Sequence, residues 1–134
     1  MLTIIFLEIK PSEPSTVQPC YKTQDIAILI PTKDRPKEIE RLIQSLVDQD
    51  CKIGRVIIVA SGQDIQEVVT KFNPWLSLEY YRSEPGQIRQ RNMGISILDD
   101  TTKLVATMDD DAVFHKNSIK EMINFWNSVE PQTA

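Results

Sequence analysis

Three consecutive carboxylates, Asp109-Asp110-Asp111, directly follow the apolar run Leu104 to Met108. Side by side at the end of a buried segment they repel one another, and keeping them ionised there is costly unless water or a cation compensates. Magnesium and manganese are hard divalent cations suited to such oxygen ligands. They commonly use only one or two protein carboxylates and complete their shell with phosphate oxygens and water. The triplet therefore has the chemistry to hold a nucleotide diphosphate through a metal ion. It equally has the chemistry of an acidic loop that caps the following helix and meets solvent. A second polar cluster, Pro31-Thr32-Lys33-Asp34-Arg35, carries charges of both signs and also follows an apolar run.

Both clusters sit where a strand is expected to end. Ile26-Ala27-Ile28-Leu29-Ile30 is a continuous, largely β-branched run of strand length that Pro31 is expected to stop. Ile39, Leu42, Ile43, Leu46 and Val47 then recur at helical spacing, with Pro36 tolerated in the first turn. Arg55 to Ala60 repeats the buried-strand pattern, and Ile65, Val68, Val69 and Phe72 repeat the helical one. Leu78 to Arg82 reads as a third strand, and Glu84-Pro85-Gly86 turns into a helix from about Gln87 to Leu98, a reading that Gly94 weakens. Leu104 to Met108 is the fourth strand, and Ile119, Met122, Ile123 and Trp126 mark a last amphipathic helix. This alternation predicts an α/β fold, a Rossmann-like and mostly parallel sheet between helices. With strand order 3-2-1-4 the order reverses between the first and fourth strands, and ligands bind outside the carboxyl ends at such a point. The two polar clusters would meet there.

A chain of 134 residues with 41% hydrophobic and 25% charged residues fits one ordinary globular domain. Its net charge of −4 argues against nucleic acid as a partner, because such binding rests on clustered Lys and Arg. Cys20 and Cys51 are too few for a disulfide framework, so reduced thiols in the cytoplasm are expected. Residues 1–24 carry Pro11, Pro14 and Pro19 among polar residues and read as a poorly ordered leader or linker, leaving 25–134 as the domain. Within them Leu2 to Leu7 is apolar but short, without a basic flank, and interrupted by Glu8 and Lys10. It suits neither a signal peptide nor a span, and no other stretch approaches the roughly 20 apolar residues of a membrane helix.

The first strand running into Pro31-Thr32, the piece Arg91-Asn92-Met93-Gly94, and the triplet after the fourth strand stand in an order that resembles the family-2 glycosyltransferases of the GT-A fold. The triplet is similar to that family's DxD motif, and the resemblance covers about residues 25 to 128. It implies that the chain is the N-terminal, nucleotide-sugar-binding portion of such an enzyme. Asp111 would be the metal ligand, for Mn2+ or Mg2+. Asp109 would lie near the donor's ribose or diphosphate, and Asp110 is the variable middle position. Pro31 and Thr32 would border the base, and Arg35 and Arg91 would face the donor. Read without the resemblance, Arg35 is a surface partner of Glu38 or Glu40, and Arg91 is ordinary helix surface. Where many relatives have two acidic residues after the second strand, this chain has Ala60-Ser61-Gly62, so Ser61 offers the base a neutral partner.

Sugar transfer needs a held donor, an electrophile for the departing diphosphate, and a base that activates the acceptor hydroxyl. The resemblance supplies the first two, from a UDP- or GDP-linked sugar with inversion at the anomeric carbon. It places the base further along the chain than Ala134, so no catalytic residue is assigned and the acceptor half is expected to be missing, unless oligomerisation completes the site. A sugar-nucleotidyltransferase is disfavoured because Pro31 to Pro36 contains no glycine. A noncatalytic nucleotide-binding or interaction module of the same fold is the other class of function. His115, Trp75 and Trp126 read as structural.

Overall fold

Two of the predicted strands are apolar on both faces, which is stable only where both faces are covered. A computed structural model of the protein, describing residues 4–8 and 21–128, has this arrangement. Its elements are β1 (Ile4–Glu8), β2 (Ile26–Lys33), α1 (Pro36–Val47), β3 (Arg55–Ser61), α2 (Gln66–Phe72), β4 (Leu78–Arg82), α3 (Gln87–Ser96), β5 (Leu104–Met108) and α4 (Ser118–Ser128). The sheet order is β1-β5-β2-β3-β4. The strands β2 to β5 are parallel, and β1 joins the edge of β5 antiparallel. The four parallel strands follow the order expected from the sequence, and the fold is a Rossmann-like α/β sheet.

Successive residues of β2 point to opposite faces. Ile28 and Ile30 pack with Ile39, Leu42 and Ile43 of α1, Val69 and Phe72 of α2, and Ile119 and Ile123 of α4. Ala27 and Leu29 pack on the other face with Ile57, Val59 and Val105, beneath Met93 and Ile95 of α3. The second layer is thinner. Gly94 lets α3 approach it, since a Cβ there would lie 2.1 Å from Leu29 Cδ1.

Two expectations change. Pro31 does not end β2, which runs on to Lys33 beside β3. Pairing with β5 stops at Leu29, opposite Thr107, so the proline lies where β2 has a neighbour on one side only. The leader assigned to residues 1–24 contains structure: Ile4–Glu8 pairs with β5, from Ile4 opposite Met108 to Glu8 opposite Leu104. Four apolar, strand-forming residues followed by Glu8 suffice to extend an open sheet edge, which a composition averaged over the following prolines conceals. Tyr21 is buried, and its main-chain N–H and carbonyl bond the Asn127 side chain, both at 2.8 Å. The folded unit thus begins before residue 25, while 9–20 and 129–134 lie outside the described residues. Among the described residues no helix is long and apolar enough to cross a membrane.

Candidate functional site

Because β2 outruns its pairing with β5, the sheet opens at the carboxyl ends of these two strands. A cleft of about 450 Å³ lies there. Pro31, Thr32, Lys33 and Arg35 form one side, Asp109, Asp110 and Asp111 another, and Pro85, Gly86, Gln87 and Gln90 at the start of α3 the third. The reversal of strand order thus joins segments almost eighty positions apart.

The three carboxylates differ in their surroundings. Asp110 is 9% exposed; the Thr32 hydroxyl donates to its Oδ2 at 2.8 Å, and Arg35 Nε lies 3.5 Å from Oδ1. Burial pushes the Asp110 carboxyl above the usual carboxylate range, against the opposing pull of the Thr32 hydroxyl and the Arg35 charge. Asp109 is half-buried, and Asp111 is exposed, with no hydrogen bond or ion pair from the described residues. Asp110, in the middle of the triplet, is therefore held by the end of β2 and the turn that follows it. Arg35 takes neither of its sequence-suggested surface partners; Glu40 pairs instead with Lys71 at 2.6 Å.

The turn carrying Arg35 is built by its predecessor. Asp34 has φ +54°, a left-handed conformation that Asp tolerates better than most residues, and its Oδ1 accepts the Gln63 N–H at 2.6 Å. Gly62, at φ +72°, leaves room for that carboxylate, because a Cβ there would lie 2.3 Å from Asp34 Oδ1. Arg82 donates to the carbonyls of Gly62 and Gln63, joining the turn after β3 to β4. Arg35 then forms the N-cap of α1, with Pro36 opening the helix.

Gln90 is the residue that sequence reasoning missed. It is 3% exposed and donates from Nε2 to the carbonyls of Thr32 and Val59, both at 2.8 Å. Its one visible signal is its place four residues before Gly94, on the stripe of α3 that faces the sheet. Ser61 is buried beneath it, donating to Gln90 Oε1 at 3.4 Å, and does not line the cleft. Arg91 does not line it either; one residue further round the helix, it is half-buried, and its Nε is buried without a hydrogen-bond partner among the described residues. At this turn of α3 it is Gln90, and not Arg91, that borders the cleft.

Among the described residues no three His, Cys, Asp or Glu side chains converge into a ready-made cation cage. An exposed, unengaged carboxylate beside a half-buried one fits a cation that keeps few protein ligands and takes phosphate oxygens and water for the rest. His115 is exposed, and its main chain bonds Ser118 and Gln49.

No curated protein matches the chain. Several solved structures do. The 1–349 portion of S. aureus TarS is 22% identical with a TM-score of 0.64, over 75% of this chain and 32% of that one. The same portion in complex with UDP-GlcNAc is 23% identical with a TM-score of 0.61, over 75% and 30%. The mannosyltransferase PcManGT from Pyrobaculum calidifontis, in complex with GDP-Man and Mn2+, is 18% identical with a TM-score of 0.64, over 89% and 36%. The chain spans about a third of the length of these structures, which share its fold. The model of glycosyl transferase family 2 matches residues 27–132, and so takes in β2 from its second residue, every element from α1 to α4 and all three sides of the cleft. On that match, the chain belongs to glycosyl transferase family 2.

Proposed function

We propose that this chain is the nucleotide-sugar-binding part of an inverting glycosyltransferase, with the donor diphosphate held in the cleft between β2, β5 and α3. The observation that carries the reading is the meeting of the Pro31 to Arg35 turn with the acidic triplet at the reversal of strand order. Asp111, beside Asp109, would hold a divalent cation, Mn2+ or Mg2+. Such a cation, when bound, stabilises the negative charge that develops on the departing diphosphate.

The chain's own groups do the rest. Arg35, backed by Asp110, offers its remaining N–H groups to phosphate oxygens. The amino end of α3 opens on the cleft at Gly86 and Gln87 without a side-chain cap, so the positive end of the helix faces an anionic ligand. The Thr32 hydroxyl is engaged by Asp110 and its carbonyl by Gln90, so Pro31 and Thr32 would border the base by packing against it. A UDP- or GDP-linked sugar is the donor class; the neighbours in complex with UDP-GlcNAc and with GDP-Man and Mn2+ support that choice. A hydroxyl group is the acceptor class.

Titration of UDP and of GDP into the chain, with manganese or magnesium and again after chelation, tests the reading. Metal-dependent binding of at least one nucleotide is expected. Binding of neither with either metal contradicts it. A noncatalytic nucleotide-binding module would bind alike; turnover of the sugar donor on acceptor hydroxyls once the chain is joined to an acceptor-binding half separates the two.

A further inference from the structure

The most heavily engaged polar side chain at the cleft is an uncharged one. Gln90 spends both amide protons on main-chain carbonyls, Thr32 on β2 and Val59 on β3. That fixes the orientation of the amide, since a flipped group would set its oxygen against two carbonyl oxygens with no proton between them. Oε1 is thereby turned to the Gly86 N–H at 3.3 Å and the Ser61 hydroxyl at 3.4 Å. One amide thus ties together the ends of two strands and the start of α3.

Thr32 extends this arrangement to the acidic triplet. Its carbonyl accepts from Gln90, while its hydroxyl donates to Asp110 at 2.8 Å. We propose that Gln90 is a positioning residue for the donor cleft: by fixing Thr32 it sets the Asp110 carboxylate, and so leaves Asp111 facing the ligand. The proposal rests on the reading of the cleft as a nucleotide-diphosphate site. Filling space does not require an amide here. The residues beneath α3, Ala27, Leu29, Ile57 and Val59, are apolar, and methionine has nearly the same length and volume as glutamine. A glutamine that merely supported the fold would affect stability and leave the triplet where it is.

The test uses Gln90→Met, Thr32→Val and their combination in the whole chain. Amide NMR spectra without ligand or metal provide the first measurement. In Gln90→Met the Asp110 and Asp111 resonances are expected to move, as they do in Thr32→Val, although Gln90 makes no bond to Asp110. Shifts confined to Thr32, Val59, Ser61 and Gly86, the direct partners, overturn the proposal. Calorimetry of UDP and GDP with manganese provides the second. Each single substitution is expected to weaken binding about 10–100-fold, as is usual for groups that orient metal-site carboxylates. The double substitution should lose little more than either single one, because both break the same linkage. Additive losses contradict that linkage. If Gln90→Met does not fold, Gln90→Leu serves in its place, removing both donated bonds without setting an oxygen against the two carbonyls. Should the native chain bind neither nucleotide, the donor-site reading fails, while the spectra still decide whether Gln90 positions the triplet.

Discussion

At the scale of single residues, environment separates groups of one chemical type. Asp110 and Asp111 are neighbours, yet one is buried between a hydroxyl and a guanidinium while the other faces the open cleft. Arg35 serves both the carboxylate behind it and, in the proposed function, the phosphate in front. Arg35→Ala is therefore expected to weaken nucleotide binding by about 1.5–3 kcal/mol, the usual contribution of a charge-assisted hydrogen bond. Its side chain is 45% exposed and it pairs with Asp110, so stability should fall by no more than about 1 kcal/mol. Calorimetry and a melting curve on the same sample check both statements. A further ion pair lies away from the cleft: Arg55 donates to Glu79 from Nε at 2.6 Å and from Nη2 at 2.7 Å, and the Tyr81 hydroxyl adds a third bond. The Arg55 bonds, with that of Tyr81, hold the Glu79 carboxyl below its ordinary value. The unfolded chain, with Glu near about 4.3, then takes up the proton first. The stability contributed by this pair is present above that pH and is lost as pH falls below it, through the folded value. Denaturant unfolding of the native chain and Glu79→Gln between roughly pH 3 and 6 should show the acid-side slope reduced in the variant.

At the scale of elements, much of the fold was legible and the exceptions have physical reasons. Four strands and four helices follow from the periodicity of apolar residues, since covering both faces of β2 and β3 requires unbroken apolar runs. Gly94 lowers the helix propensity of α3, and its purpose shows only in the packing: a Cβ would meet Leu29 Cδ1 at 2.1 Å and Cδ2 at 3.0 Å. Gly94→Ala is expected to destabilise the chain by about 1–3 kcal/mol, because overpacking the thin second layer exceeds the gain of about 1 kcal/mol in helix propensity. A denaturant midpoint shifted upward would show that Leu29 yields easily and that the close approach of α3 is not required. The strand β1 was illegible because edge pairing depends on a partner edge that the local composition does not reveal. Gln90 was illegible for a related reason. Periodicity locates the buried stripe of a helix, but it does not tell that two strand-end carbonyls beneath that stripe need donors.

At the scale of the molecule, the cleft is a consequence of topology. Reversal of strand order between β2 and β5 brings Thr32 to Asp110 across 78 positions of sequence, and that juxtaposition was legible once four parallel strands were recognised. The division of labour within the triplet was not, since it depends on the depth of each side chain below the surface. Of the residues singled out in the sequence, Pro31, Thr32, Arg35 and the three aspartates meet in one place, whereas Ser61 lies beneath it and Arg91 beside it. The central claim is that this place holds a nucleotide diphosphate through a cation on Asp111. Calorimetry of UDP and GDP with manganese, on the native chain and on Asp111→Asn, tests it most directly. Asp111 is exposed and unengaged, so the variant should fold as the native chain does and lose the metal-dependent part of nucleotide binding. Unchanged metal-dependent affinity in a folded Asp111→Asn variant would contradict the account.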